Sequence, residues 1–348
     1  MQECKLSDPF QLHDKSHAFL KNQKSPFSKN EIIDLLQCTG KEQEHLFERA
    51  RESRRQAFGD KALIRGVIEV SNICRQNCGY CPMRVDNKNK DADFMMDAET
   101  ILDTVRAIRD NGINVVFFQA GENPKTTPLM LEVIPKVREI FGGPVEILLC
   151  LGNKPYEEYA ALKKAGATSY ILKHETSDPE LHRRLRHQSF EHRLKHLHYL
   201  LELGYYVGTG NIIGLPGQDL GSIAGDLLLA RELGVHMASS SPFIPAPSTP
   251  LVDSPTGSVN TTLNAIAIMR IMGPHYLIPA VSALEKLEEG GQLRGIHAGA
   301  NVMTVNFTPK KHKEMYHIYG KNRYIVKKDH IEKILEKAGL VLSQSFYA

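Results

Sequence analysis

Short apolar or β-branched segments alternate with amphipathic stretches from residue 62 to residue 307, and this alternation limits the folds available to the chain. Eight of these segments are expected to be strands: 62–70, 114–120, 145–151, 169–173, 206–214, 235–241, 275–283 and 301–307. The stretches between them have helical periodicity, and several end at glycine, as helices often do. Repeated βα units over about 250 residues are typical of an α/β fold, the (β/α)8 TIM-type barrel, which we favour over an open doubly wound sheet.

The residues on either side of this region are expected to add helices to the barrel. Ser28 followed by Glu31 is a capping-box pattern, which marks the beginning of a helix. The last part of the chain contains one more amphipathic segment, KKDHIEKILEKAGL. The sequence therefore predicts an N-terminal helical extension (1–60), a barrel domain (61–310) and a short C-terminal helical tail (311–348).

The composition excludes several other classes of protein. Hydrophobic residues make up 42% and charged residues 24%, which is ordinary for a globular protein. No apolar stretch reaches the 18 or so residues of a spanning helix, and the first residues lack the apolar core of a secretory signal. The net charge is only +3, so we interpret the basic run 182–196 as a solvent-exposed helix face. We expect a cytoplasmic protein that binds neither membrane nor nucleic acid.

Three of the six cysteines follow the first predicted strand in the pattern C-x3-C-x2-C, as Cys74, Cys78 and Cys81. Thiolates at this density select an iron–sulfur cluster or zinc. A structural zinc site needs a fourth ligand, and residues 60–95 contain no further Cys or His. Three thiolates can instead hold a [4Fe–4S] cluster and leave one iron open to a substrate. A non-catalytic iron–sulfur carrier or a zinc-binding scaffold remains the alternative from another class.

The triad, with Tyr80 as the aromatic residue before its third cysteine, resembles the radical S-adenosylmethionine (SAM) superfamily. Further segments resemble one branch, the HydE maturases of [FeFe]-hydrogenase, which are related to biotin synthase and methylornithine synthase: QAGENP, LKHETSDPELHRRLR, SFEHRL, IIGLPGQ, PFIPAPSTPL and GANVMTVNFTP. The resemblance spans most of residues 60–310. It implies an anaerobic enzyme with one [4Fe–4S] cluster on the triad, which cleaves SAM reductively to a 5′-deoxyadenosyl radical.

The resemblance assigns cofactor contacts to Tyr80 and to the segment QAGEN after the second strand. Gln119, Gly121 and Glu122 belong to the block that receives the methionine amino group of SAM, and an ammonium group needs acceptor oxygens. Without the resemblance, the Gly-Glu pair would be interpreted as an ordinary turn. Asn123 stands where HydE proteins commonly have Asp, so this chain has one negative charge fewer at that position.

Three further cofactor contacts follow from the resemblance. Glu175 corresponds to a glutamate that binds the ribose hydroxyl groups, although alone it would be an ordinary strand-end charge. Arg193 corresponds to an arginine that pairs with the methionine carboxylate through two N–H groups. Gly214 belongs to a turn near the adenine.

Four residues are candidates for substrate contacts: Cys150, Lys173, Ser282 and Tyr316. Cys150 ends the third strand, where a small buried side chain is the simpler interpretation and a thiol facing the cavity is the functional one. Lys173 stands where HydE proteins usually have Arg, which keeps the charge but loses the two-pronged guanidinium. No cysteine follows Cys150, so we expect a single cluster.

The resemblance implies a small-molecule or organometallic substrate, an electron donor such as a ferredoxin or flavodoxin, and possible hydrogenase maturation partners. The alternative within the superfamily is an enzyme that acts on an amino acid or other small metabolite, as methylornithine and biotin synthases do. Because a fold does not determine a substrate, the sequence leaves this choice open.

Overall fold

The computed structural model describes residues 24–89, 92–320 and 322–343, so the expectation that the chain begins without a secretory signal lies outside the described residues. The strands are β1 (Lys61–Ser71), β2 (Val115–Ala120), β3 (Glu146–Cys150), β4 (Ser169–Ile171), β5 (Tyr206–Ile213), β6 (Met237–Pro242), β7 (Val302–Asn306) and β8 (Val341–Ser343). The helices are α1 (Lys29–Gln37), α2 (Gly40–Phe58), α3 (Ala98–Asp110), α4 (Thr126–Phe141), α5 (Tyr156–Ala165), α6 (Pro179–Arg186), α7 (Phe190–Glu202), α8 (Leu220–Glu232), α9 (Val259–Met272), α10 (Ser282–Leu287), α11 (Gly291–His297), α12 (Lys310–Met315) and α13 (Lys328–Ala338).

Seven strands form one curled parallel sheet in the order β6–β5–β4–β3–β2–β1–β7. The two edges are joined by single bridges, Met237 to Leu277 and Pro279 to Val302. The predicted strand 275–283 is therefore reduced to isolated bridges, because a proline has no N–H to donate to a neighbouring strand. The TIM-type fold is confirmed, with seven regular barrel strands in the described residues instead of the eight expected.

Additional elements lie at both ends of the barrel sequence. Helix α1 begins at the predicted capping box, in which Glu31 N–H donates to Ser28 Oγ and Ser28 N–H donates to Glu31 Oε2. Helix α13 is the predicted helix of the tail. Strand β8 pairs in parallel with the beginning of β1 and was not predicted, since three residues give no usable periodicity. The division into three parts at residues 60 and 310 stays a prediction.

Strand β1 is buried on both faces and shows how the barrel is filled. Its alternate residues Ile64 and Ile68 pack with the surrounding helices, whereas Leu63 and Val67 point into the barrel. The inward apolar side chains of five neighbouring segments complete a layer across the interior: Val115, Phe117, Leu148, Met237, Leu277 and Val302. This layer leaves space for a site only toward the carboxyl ends of the strands.

The loops that follow the strands meet at that end of the barrel, as in other parallel βα barrels. Helix α6 begins in one of these loops at Asp178, whose side chain accepts the N–H of Leu181. Within the described residues, none of the helices combines the length and apolar character needed to span a membrane.

Candidate active site

A cavity of about 310 Å³ lies at the carboxyl ends of the barrel strands. Twelve of the fourteen predicted site residues line it: Cys74, Cys78, Tyr80, Cys81, Gln119, Gly121, Glu122, Cys150, Lys173, Glu175, Arg193 and Tyr316. The other two lie outside it. Gly214 is in the turn after β5, and Ser282 lines a neighbouring cavity of about 170 Å³. The fold therefore brings the predicted cluster, cofactor and most substrate positions together.

The cysteine loop, residues 74–81, is held by hydrogen bonds to two other elements. The Gly79 N–H donates to Leu185 O in α6 at 2.7 Å, and the Arg75 N–H donates to Glu122 O in the turn after β2 at 2.9 Å. Within the loop, the N–H of the third cysteine donates to the carbonyl of the second at 3.2 Å. The three thiols are thus positioned by the backbone of β1, β2 and α6 together.

The donor set of this loop fits an iron–sulfur cluster. Burial raises the pKa of Cys74 and Cys81, and a bound metal reverses this effect because coordination deprotonates a thiol. In the described parts of the chain, no three His, Cys, Asp or Glu side chains converge on a point that could hold one metal ion. Burial raises the pKa of the remaining thiol of the cavity, Cys150, to about 11, and the charges of Glu175 and Lys173 also act on it.

Gly121 lies where no larger residue fits. A Cβ atom at this position would be 2.4 Å from the carbonyl oxygen of Ile73 and 2.8 Å from the Cβ of Cys74. The Gly121 N–H donates to Ser71 O at 3.1 Å. The absence of a side chain at Gly121 thus lets the turn after β2 approach the cysteine loop closely.

Glu122 is buried, and its carboxylate contacts the same loop. Its Oε1 accepts from Gln76 Nε2 and from Arg75 Nε at 3.1 Å, and its Oε2 accepts the Asn153 N–H at 2.8 Å. Burial, the largest influence, raises its pKa, but these donors and the charge of Arg193 together hold it below its usual value. In this structure the carboxylate therefore ties the cysteine loop to the segment after β3, and its contact with the methionine amino group stays a prediction.

Glu175 has a left-handed backbone, with φ of 67°, which costs a non-glycine residue roughly 1 kcal/mol or more. The conformation is held because its N–H and C=O both bond to β5, at Gly210 and Ile212. Its carboxylate lies 3.2 Å from Lys173 Nζ and 3.9 Å from Arg186 Nη1. Burial raises the pKa of Glu175, but the surrounding cations hold it below its usual value, so the carboxylate is charged and faces the cavity.

Arg193 is a buried cation at the cavity wall, with 2% of its surface exposed. Its Nη1 donates to Asn153 Oδ1 at 2.8 Å, and its Nε has no partner among the described residues. No described carboxylate forms an ion pair with it within 4 Å. A buried guanidinium with free donors suits an anionic ligand group, which agrees with the predicted methionine carboxylate contact.

The basic run 182–196 is exposed only in part, so its interpretation as a solvent-exposed face applies to some of its side chains and not to others. Its basic and histidine side chains alternate between buried positions (His182, Arg186, Arg193 and His196) and exposed or partly exposed ones. The reason is that α6 and α7 each turn one face toward the cysteine loop and the barrel. The buried cations of this run belong to the cavity.

The predicted Gly214 turn is organised by a buried polar network. The Gly214 N–H donates to Gln218 Oε1 at 2.8 Å, and Gln218 Nε2 donates to Ile212 O at 2.9 Å and reaches Asp226 Oδ2 at 3.4 Å. Asp226 also accepts from Asn211 Nδ2 at 3.0 Å. This network joins the end of β5 to helix α8, behind the cavity wall.

The cavity also contains residues that were not predicted, chiefly Gln76, Arg186 and Ser241. Ser241 Oγ accepts from Lys173 Nζ at 3.2 Å, and Arg186 Nη1 donates to the hydroxyl of Tyr80 at 2.9 Å. The sequence offered a signal for Arg186, since LHRRLR lies in a segment that resembles HydE, but the charge pattern alone indicated solvent.

Comparison with known proteins gives consistent matches. A model described as the Radical SAM superfamily matches residues 68–230. The [FeFe] hydrogenase maturase subunit HydE of Thermotoga maritima is 41% identical over 287 residues, which cover 82% of each protein. The 3-methylornithine synthase of Methanosarcina acetivorans is 28% identical over 80% of this chain and 79% of that protein. A crystal structure of methylornithine synthase (PylB) superimposes with a TM-score of 0.81, at 25% identity, over 95% of this chain and 97% of that one.

Proposed function

Because this chain belongs to the radical SAM superfamily, in the family of the HydE maturases, we propose that it processes a small organic or organometallic precursor for the active centre of [FeFe]-hydrogenase. The protein is a radical SAM enzyme with a [4Fe–4S] cluster and SAM as its cofactors. When reduced, the cluster supplies the electron that splits SAM into methionine and a 5′-deoxyadenosyl radical. The observation that carries the proposal is the 41% identity to a hydrogenase maturase across most of both chains.

The side chains of the cavity suggest how the cofactor is bound. Cys74, Cys78 and Cys81 would ligate the cluster, and the free donors of Arg193 would pair with the methionine carboxylate. The charged carboxylate of Glu175 would accept from the ribose hydroxyl groups. The remaining wall is largely apolar, which would exclude water from the radical.

Lys173, Cys150 and Tyr316 would contact the substrate, since they line the cavity beside the positions assigned to the cofactor. Ser282 lies in the smaller cavity, which shares Phe117, Gln119, Ile318 and Tyr319 with the larger one. A substrate that reaches Ser282 would therefore have to extend past these shared residues.

We also propose that the enzyme works in the cytoplasm with a low-potential ferredoxin or flavodoxin as its electron donor. Thiols that must bind iron need a compartment that keeps them reduced. The five cysteines in the described residues are all free thiols. The barrel domain would hold most of the site, and the C-terminal tail would add Tyr316 to its wall.

The radical SAM activity is tested by anaerobic reconstitution with iron and sulfide, reduction with dithionite and detection of 5′-deoxyadenosine by mass spectrometry. The wild type and Cys38→Ala, which changes a cysteine far from the cavity, should both form it. Cys78→Ala should form none. A carrier would instead bind a cluster without cleaving SAM, and a scaffold would be colourless and contain zinc.

A second candidate function is the radical conversion of an amino acid or other small metabolite. Lys173 in place of the arginine usual in HydE favours it, as does the similarity to methylornithine synthases. Incubation with deuterated amino acids decides between the two, because a true substrate transfers deuterium into 5′-deoxyadenosine. The hydrogenase proposal predicts no such transfer, and it predicts restored hydrogenase activity when the protein joins the other maturases.

A further inference from the structure

Arg186, the last residue of helix α6, places a buried guanidinium between the cysteine loop and Glu175. Only 7% of its surface is exposed, and it lines the cavity. Its Nη1 donates to the Tyr80 hydroxyl at 2.9 Å and lies 3.9 Å from Glu175 Oε1. No further hydrogen bond of this side chain involves a described residue, and its Nε is buried without a partner.

The position of this guanidinium is fixed by the backbone around it. Leu185, the preceding residue, accepts the N–H of Gly79 at 2.7 Å, so the end of α6 is joined directly to the cysteine loop. Arg186 lines the same cavity as Cys78 and Cys81, and its hydrogen-bond partner Tyr80 lies between these two cysteines in the chain. Burial lowers the pKa of Arg186, but its hydrogen bond to Tyr80 and the charge of Glu175 help to raise it well above its usual value, so the side chain stays charged.

The positive charge of Arg186 is only partly offset by its neighbours. Its hydrogen-bond partner Tyr80 is a phenol, which carries no charge near neutral pH. Its one carboxylate neighbour among the described residues, Glu175, is closer to Lys173, at 3.2 Å against 3.9 Å. Two cations thus share one carboxylate, and an excess positive charge faces the cysteine loop in a site shielded from water.

A fixed positive charge beside an iron–sulfur cluster favours its reduced form, because reduction adds a negative charge. The effect is larger in a buried site than in water, where the same charge is screened. We propose that Arg186 is a positioning residue of this site, which raises the reduction potential of the cluster on Cys74, Cys78 and Cys81 through its charge. This inference rests on the proposed binding of a cluster by the triad.

The test is a redox titration of the reconstituted protein without SAM, followed by electron paramagnetic resonance. Arg186→Gln removes the charge and should lower the midpoint potential by a shift worth at least a tenfold change in the reduced-to-oxidised ratio, about 59 mV for one electron. Arg186→Lys keeps the charge and should stay near the wild type. Arg183→Gln removes an exposed cation from the same helix and should leave the potential unchanged, because solvent screens it.

A potential of Arg186→Gln equal to that of the wild type, at equal iron content, would overturn the inference. If Arg186→Gln binds no cluster, Glu175→Gln is the deciding variant. Removal of this carboxylate leaves less negative charge to offset the positive charge of Arg186, so the reduction potential should rise. An unchanged or lower potential overturns the inference. A wild-type protein without any paramagnetic cluster would instead refute the proposed function itself. The two failures are therefore distinguishable.

Discussion

Gly121, in the turn after β2, lies in close contact with the cysteine loop. A methyl group added at this position tests how close the contact is. Gly121→Ala would place Cβ 2.4 Å from Ile73 O and 2.8 Å from Cys74 Cβ, so one of the two segments must move. We expect the unfolding free energy of the metal-free protein to fall by about 1–3 kcal/mol. The iron content after reconstitution should also fall, because the displaced segment carries a ligand. Chemical denaturation and iron analysis measure the two effects.

Gly143→Ala is the matched control for that substitution. Apart from the two adjacent residues, the nearest atom to its Cβ would be the carbonyl oxygen of Phe141, at 3.9 Å, which is an ordinary contact. Stability and iron content should therefore remain near wild-type values. Full iron content in Gly121→Ala would show that the loop tolerates the displacement.

Asp226 predicts a pH dependence of stability that a carboxylate in water would not cause. Burial, the largest influence, raises its pKa to about 7, against 3.8 in the unfolded chain. The folded protein therefore holds a proton that the unfolded chain releases between about pH 4 and 7, so this group loses its stabilising contribution as the pH rises through that interval. Asp226→Asn cannot titrate. Its unfolding free energy relative to the wild type should increase from pH 4 to 7, by at most about 1.4 kcal/mol per unit.

Neighbouring histidines explain why the variant and the wild type must be compared at each pH. Burial lowers the pKa of His174 to about 3 and of His182 to about 4, so both contribute stability that is present above about pH 6.5 and is lost as the pH falls. The pH dependence that these histidines give to the unfolding free energy opposes that of Asp226, and it cancels only in the difference between variant and wild type. Urea titrations at several pH values measure this difference, with the exposed Asp253→Asn as control. A difference that does not change with pH would contradict the prediction.

The sequence predicted which residues would meet but not what each side chain does there. Cys74 and Glu122 both line the cavity, since both follow strand ends of a parallel barrel. The contacts of Glu122 with Gln76 and Arg75 depend on how two loops pack, which no local pattern encodes. Arg186 was missed for a related reason: its charge indicated solvent, whereas α6 turns that face toward the cysteine loop.

At the scale of elements, Asn264 joins the N-terminal helices to the barrel. It lies fully buried in α9, and its Nδ2 donates to Leu36 O and Cys38 O at the end of α1, at 3.1 and 2.9 Å. Its Oδ1 accepts from Gln43 Nε2 in α2 at 2.7 Å. Asn264→Leu removes all three bonds and leaves buried carbonyl groups unsatisfied, so we expect a loss of about 2–4 kcal/mol in unfolding free energy.

Asn260→Leu provides the comparison in the same helix. Asn260 is exposed, and its Oδ1 accepts one bond, from Arg294. Its removal should change the unfolding free energy by no more than about 0.5 kcal/mol. If both substitutions lowered the unfolding free energy by the same amount, the hydrogen bonds of Asn264 would not be what holds α1 and α2 against α9.

Strands and helices with a clear apolar pattern were predicted, whereas short or highly charged elements were not. The strand segments ending in Ser71, Ala120 and Cys150 were recognised because apolar residues predominate in each, as in strands buried on both faces. The segment 275–283 has the same apolar character, but Pro279 prevents a continuous ladder. Helix α6 was not predicted as a separate element, because its eight residues, four of them charged, contain little more than one apolar repeat.

At the scale of the whole molecule, the tail completes the wall of the barrel. Arg323 forms a two-pronged ion pair with Glu69 of β1, including a bond of 2.6 Å from Nη2 to Oε2, although the residues are 254 positions apart. Both side chains are buried. Tyr319 and Tyr324 of the same segment line the smaller cavity. The predicted tail is therefore part of the cavity, as the choice of Tyr316 as a candidate substrate contact implied.

This long-range ion pair allows a double-mutant test of barrel closure. Glu69→Leu or Arg323→Met alone leaves one buried charge without its partner, so each should lower the unfolding free energy by about 3–5 kcal/mol. The double variant leaves neither charge and should be more stable than either single variant. Lys136→Met, which breaks an exposed pair with Glu132, should cost less than about 1 kcal/mol. Guanidinium chloride unfolding measures all four. If the losses of the two single variants simply added in the double variant, the tail would not be held to β1 by this pair, and closure would have to depend on the apolar contacts of the tail alone.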